Sequence, residues 1–280
     1  MTLVVPAETA AAPPSATPRR PGPRFDVGNI ARTALGFVVV LVAWELLART
    51  VLDGKNLIAP PTGIASSIAD NWDLYQRALR TTLWEAARGF VWGNAAALLL
   101  AALVAIVPAT ERIVLRVALV VFCLPLVAMG PLLRVVYGTG DGPQVTLAAL
   151  AVFYTTLVPV LVGLRAVPQS WSDLVASYGR GRLTTLTTVR ARASIPYLFA
   201  GLQVAAPAAF LGALVGEFTG AERGVGILII NSMRALRTDD LWAVAAISAA
   251  VSMLAYVLVG AIGHRMATGQ PALLMAPTRT

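Results

Sequence analysis

The chain of 280 residues holds one cysteine, one histidine and one lysine. A lone Cys123 leaves no partner for an intrachain disulfide and no basis for a cysteine metal cluster. His264 stands beside Arg265 at the edge of the last apolar run, which argues against a histidine metal site or a His-based catalytic triad. No metal and no cofactor is expected. Lys55 is followed by Asn56 and lacks the earlier glycine of a Gly-x-x-x-x-Gly-Lys-Ser/Thr phosphate loop, so the chain has no ATP site of that kind. Charge is scarce as well: 13% of residues are Asp, Glu, Lys or Arg, against about a quarter in a soluble domain.

In place of charge there is apolar surface. Hydrophobic residues make up 57% of the chain, and the mean hydropathy is +0.73. The net charge of +8 would raise nucleic acid as a partner of a soluble domain. In so apolar a chain the arginines read instead as loop charges of a membrane protein, and no nucleic-acid partner is expected. A membrane helix needs about 20 mostly apolar residues. Six segments qualify, at about 33–51, 89–107, 113–133, 144–164, 197–216 and 241–263. Lipid obliges each backbone to satisfy its own polar groups, so the expected fold is an all-α integral membrane protein of six transmembrane helices.

Charge sets the expected topology. With the N-terminus inside, Arg19, Arg20, Arg24, Arg32, Arg112, Arg165, Arg180, Arg182, Arg190, Arg192, Arg265 and Arg279 fall on the cytoplasmic side. Lys55, Arg77, Arg80, Arg223, Arg234 and Arg237 fall outside, and this asymmetry favours both termini inside. The chain then divides into a disordered Ala/Pro-rich cytoplasmic tail (1–32), the six-span unit (33–263) and a second cytoplasmic tail (264–280). No apolar run precedes Thr33, so the tail is not read as a secretory signal. Between the first two spans, Ile64, Ile68, Trp72 and Tyr75 recur at helical spacing, which predicts an amphipathic helix on the outer face over 57–83.

One loop interrupts the apolar pattern. Between the fourth and fifth spans lies SDLVASYGRGRLTTLTTVRARASIP, Ser172–Pro196. Trp171, Leu174, Val175 and Tyr178 share one helical face, Gly179 and Gly181 mark its end, and Leu183, Leu186 and Val189 begin a second short stripe. Pro196 is expected to open the fifth span. A helix–turn–helix with an apolar and a basic face lies on a membrane or docks a partner. The loop resembles the "EAA" motif of membrane subunits of bacterial ATP-binding-cassette importers, Glu-Ala-Ala, three residues, Gly, nine residues, Ile-x-Leu-Pro. Asp173 stands at the Glu, Leu174 and Val175 at the alanines, Ala176, Ser177 and Tyr178 are the spacer, and Gly179 falls on the glycine. Val189 takes the Ile position, Ala191 and Arg192 replace Leu-Pro, and Pro196 matches a second proline. APPTGIASSI after the first span and GAERGVGILI (Gly220–Ile229) after the fifth are similar to permeases of the nitrate/sulfonate/taurine group. The literal triplet Glu85-Ala86-Ala87 lacks the glycine six residues on, and Glu85 reads as an interfacial residue paired with Arg88 or Arg80.

The resemblance implies a type I importer permease with no catalysis of its own. Its partners would be an ATP-binding subunit, a second permease subunit as a homodimer or a heterodimer, a periplasmic or lipid-anchored solute-binding protein, and the bilayer of the bacterial cytoplasmic membrane. Asp173 to Gly179, with Arg180, Arg182, Val189 and Pro196, would couple the spans to the ATPase, and Arg190 and Arg192 would add polar contacts. Asn94, Gln203, Glu217 and Ser248 are the candidates for lining the solute path, with helix–helix hydrogen bonds as the alternative role. Glu45 and Arg49 are spaced to pair on one helix face. Gly89, Gly93, Gly201, Gly212 and Gly216 are read as close-packing positions. The competing functions are a secondary transporter and a substrate-binding membrane subunit of an energy-coupling importer; the first would show charged or broken spans and internal repeats.

Overall fold

Long runs without charge or turn residues become long helices here, and glycine decides how closely they approach. The computed structural model describes residues 27–50, 57–167, 169–179, 184 and 186–267, and regular structure among them is entirely helical. In chain order the helices are α1 (Val27–Thr50), α2 (Pro61–Asp70), α3 (Trp72–Ile106), α4 (Glu111–Cys123), α5 (Leu126–Tyr137), α6 (Gly142–Arg165), α7 (Gln169–Ser177), α8 (Ala191–Glu217), α9 (Val225–Arg234) and α10 (Thr238–Ala267). A π-helical turn, Leu186–Arg190, leads directly into α8.

Helices α3, α6, α8 and α10 are each long and apolar enough to cross a membrane, and α4 with α5 forms a fifth, bent candidate. The expected unbroken third span, 113–133, is corrected by this pair: the two halves meet at 94°. The cause is Pro125. It has no N–H to continue the ladder, and it drives the preceding Leu124 into an extended conformation (φ −66°, ψ 127°). The pair still joins opposite ends of the bundle. Glu111 at the start of α4 pairs with Arg165 at the end of α6, while Tyr137 at the end of α5 lies against Gly142 at the start of α6.

Other boundaries shift in the same physical direction, toward longer helices. The expected outer helix over 57–83 divides at Asn71 (φ −112°, ψ 20°), and α3 then runs unbroken for 35 residues through the expected second span. The break changes the helical phase. Ile64 and Tyr75 are buried as expected, but Trp72 points outward, half exposed. Helix α8 starts at Ala191, so Pro196 sits inside it rather than at its opening. Most of the expected first span falls within the 24-residue α1, which is not among the crossing candidates, so the described residues give four such helices, or five with the bent pair, against the six expected; in α1 Leu35, Phe37 and Val38 to Val40 are exposed. It is anchored to α2 through Glu45, which pairs with Arg49 and accepts hydrogen bonds from the Thr62 hydroxyl (2.7 Å) and amide (3.1 Å).

The core is a seam of small residues. Helix α6 lies between α3 and α8, parallel to the first and antiparallel to the second, as the paired positions show. A Cβ on Gly89 would meet the Ala148 methyl at 2.2 Å, and one on Gly93 the Ala149 carbonyl oxygen at 2.5 Å. Across the other face, a Cβ on Gly212 would meet the Leu147 carbonyl oxygen at 2.7 Å, and one on Gly216 the Gln144 Cα at 2.6 Å. Gly201 has more room, 3.1 Å to the Thr155 carbonyl oxygen. Around this seam Ala148, Val152, Ala205, Ala209, Phe210 and Ala213 form one buried cluster, and Ala97, Ala101, Phe153, Leu157 and Val160 a second. Because the obstacle at Gly212 is backbone, which cannot swing aside, Gly212→Ala is expected to destabilise the protein by about 1–3 kcal/mol. Gly36→Ala, which meets nothing within 4 Å inside α1, should not destabilise it, since alanine is the better helix former; thermal unfolding of the two purified variants followed by circular dichroism checks this.

Candidate functional site

The antiparallel run of α6 and α8 places the Ser172–Pro196 loop at one end of the bundle and Glu217 at the other. At the loop end, α7 finishes at Ser177 and the chain turns at Gly179, whose φ of +70° is left-handed backbone suited to glycine. The spacing had placed the turn there. Tyr178 is 77% exposed and Trp171 42% exposed, so two aromatic rings stand on the outside of this element; Val175 is half-buried and Asp173 exposed. Leu174 and Ala176 lie within α7. Arg180 and Arg182 lie outside the described residues. Val189 and Arg190 are half-buried in the π-helical turn, and Arg192 is exposed in the first turn of α8. Within α8, Pro196 removes the amide that would bond the Arg192 carbonyl.

At the opposite end two acids meet, and one of them, Glu85, lies away from where the sequence had placed it. Glu217 is fully buried. Its carboxyl accepts a hydrogen bond from the Thr82 hydroxyl (2.6 Å) and another from the Gly226 backbone N–H. Thr82 in turn accepts from the Val225 N–H at 2.9 Å. Two of the orphan donors at the start of α9 are thereby satisfied, and an acid at a helix N-terminus is favoured by the helix dipole. Gly224 makes this possible: its φ is +124°, and a Cβ there would meet Glu217 Oε1 at 2.1 Å. Glu85, expected at the interface, is instead 4% exposed. Its carboxyl lies against that of Glu217, while Arg88 pairs with Asp141. A 35-residue α3 explains the correction, because the literal Glu-Ala-Ala triplet falls in its interior, with Glu85 and Ala86 buried and Ala87 exposed. A second polar cluster closes the same end: Ser67 donates to Asp240 (2.7 Å), and the Tyr75 hydroxyl lies 2.7 Å from Ser67 and 3.3 Å from Asp240.

The four path candidates do not converge. Asn94 donates to the Phe90 carbonyl (2.7 Å) and accepts from Thr156 (2.6 Å), a hydrogen bond between α3 and α6. Ser248 donates to the Val244 carbonyl of its own helix at 2.8 Å. Gln203 packs on Gly260, where a Cβ would meet its Nε2 at 2.4 Å. Thr82, Gly224 and the buried role of Glu85 were missed by the sequence reading. The signal that could have found them is an acid at the end of one apolar run followed seven residues later by glycine and a new helix. Removing the acid should loosen what it holds. Glu217→Ala is expected to raise amide exchange at Val225 and Gly226 by about tenfold or more while α6 stays protected, as hydrogen-exchange mass spectrometry would show.

Comparison with known proteins adds identity to this geometry. Residues 93–268 match the family described as "Binding-protein-dependent transport system inner membrane component". A probable ABC transporter permease protein of Haemophilus influenzae is 26% identical over 227 residues, 81% of this chain and 93% of that protein. The nitrate import permease of Leptolyngbya laminosa is 26% identical over 253 residues, covering 84% of this chain and 86% of its own. The formylaminopyrimidine transport permease of Halalkalibacterium halodurans is 25% identical over 192 residues, 69% and 77% of the two chains. The family match runs from the middle of α3 to the end of α10 and includes both the Gly179 turn and the Glu217 clamp, so the chain belongs to the binding-protein-dependent transport system inner membrane components, the ABC importer permeases.

Proposed function

We propose that this permease forms the path for a small polar solute and draws its energy from a separate ATP-binding subunit docked on the Ser172–Pro196 loop. The single observation that carries the reading is the exposed element at one end of the bundle: α7, the outward rings of Trp171 and Tyr178, and the left-handed turn at Gly179. Aromatic side chains left exposed by the described residues fit a partner better than solvent. The loop sits between α6 and α8, the two helices packed most intimately, so force on it would move the bundle as a rigid body. ATP closes the partner subunits, the loop follows, and the spans alternate between inward-open and outward-open forms. The loop end then faces the cytoplasm, with both termini inside. A second permease copy and a periplasmic or lipid-anchored binding protein complete the assembly. Related permeases are named for nitrate and for formylaminopyrimidine, which supports a small polar solute, a nitrate, a sulfonate or a pyrimidine-type precursor.

Two experiments test the coupling role. With Cys123→Ser as background and a cysteine introduced by Ser177→Cys, crosslinking in native membranes should yield an adduct with a P-loop ATPase. A loop that reacts with thiol reagents from the cytoplasmic side yet gives no such adduct would overturn the reading. Gly179→Arg should abolish solute uptake and leave membrane insertion intact, because a large side chain at φ +70° both strains the turn and blocks the docking face. Normal uptake by this variant would count equally against it.

A further inference from the structure

Helix α3 is about 52 Å long at 1.5 Å per residue, whereas the hydrocarbon core is about 30 Å thick. Its first four turns therefore extend past the apolar layer, at the end opposite α7. Helix α9, clamped by Glu217, faces these turns across a cleft of about 1360 Å³. Leu79, Leu83, Ile227 and Leu228 give it apolar walls. Its charged residues are Arg77, Arg80, Arg223 and Glu222, all exposed. None of the ion pairs among the described residues uses any of the four. Elsewhere at this end Arg88 pairs with Asp141 and Arg237 with Asp240, while Arg234 is in none of these ion pairs. What sets the cleft apart is that three guanidinium groups, none in an ion pair among the described residues, line one concavity.

We propose that this cleft binds a small anionic solute, one bearing a carboxylate- or sulfonate-type group, through Arg77, Arg80 and Arg223. A guanidinium presents a planar fork of donors that matches an oxyanion two bonds at a time. Low-dielectric walls focus the net positive field, three guanidinium groups against the one Glu222 carboxylate, into the cleft and raise the local anion concentration. Asn231 at the rim adds a neutral polar group for the remainder of the solute. The space is ample, since small-molecule sites run about 300–1,000 Å³. The position fits entry, because a solute released by a binding protein would arrive at this end. That last role rests on the importer reading above; the binding itself does not. A lipid phosphate offers the same oxyanion chemistry, so the test separates the two sources.

The full chain in phosphatidylcholine nanodiscs would be titrated with trifluoromethanesulfonate and followed by fluorine NMR line broadening, with neutral trifluoroethanol as comparator. The sulfonate should broaden saturably and be displaced by sulfate, and trifluoroethanol should not respond. The triple variant Arg77→Gln, Arg80→Gln, Arg223→Gln should weaken sulfonate binding by at least about tenfold, the loss of one charge-assisted hydrogen bond or more. Arg234→Gln, which removes a charge at the same end outside the cleft, should leave it unchanged. No saturable broadening, or broadening that the triple variant retains, overturns the proposal. Arginine-dependent binding that disappears in discs half composed of phosphatidylglycerol assigns the arginines to headgroups and overturns it too. Sulfonate binding that persists while the Ser177→Cys crosslink fails would uphold this site and remove the ATPase reading.

Discussion

The approach of α6 to its two neighbours governs the rest of the molecule. In lipid there is no hydrophobic gain from bringing helices together, so association depends on van der Waals contact and interhelical hydrogen bonds. Glycine at 89 and 93 on one side and at 212 and 216 on the other lets backbone meet backbone. That proximity decides what else can touch. Asn94 reaches Thr156 only because α3 and α6 are this close, and the same register of α8 brings Glu217 across to Thr82 on α3.

The two ends of the bundle differ in kind. At the end bearing Glu217, polar groups from five helices form two clusters: Thr82 and Glu85 of α3 with Glu217 of α8 and the first amides of α9, and Ser67 of α2 with Tyr75 of α3 and Asp240 of α10. Within each cluster the groups depend on their partners, because a buried acceptor left alone costs about 1–3 kcal/mol. At the other end the described contacts are sparser, and the aromatic side chains of α7 and its turn are turned outward. One end is built to hold its helices in register and the other to present a surface. Such a division suits a lever whose load and handle lie at opposite faces of a membrane.

Much of this was legible in the sequence, for identifiable reasons. Uncharged runs of Ala, Leu and Val gave the crossing helices, and the spacing of Trp171, Tyr178 and Gly179 gave α7 and its turn, because both signals are local. The glycines of the seam were legible as packing positions, though not their partners. Pro125 was visible too, but the surrounding run was long and apolar enough to hide the break that it makes. The helix over Arg77 and Arg80 was expected, but as a separate outer helix over 57–83; its break at Asn71 and its continuation as one 35-residue α3 through the second span were not. Glu85 shows the remaining limit. Its burial depends on α8, 132 positions away at Glu217, and no pattern within one helix can report that.

The bend at Leu124–Pro125 leaves the chain incomplete in a hydrocarbon setting. Neither α4 nor α5, at 13 and 12 residues, is long enough to cross alone. The last carbonyls of α4 therefore stop partway through the layer with only the Leu124 amide, 3.2 Å from the Val121 oxygen, turning back to them. Lipid offers no donor to such groups. The outer side of this elbow accordingly calls for a polar partner, water or polypeptide, wherever the pair lies in hydrocarbon.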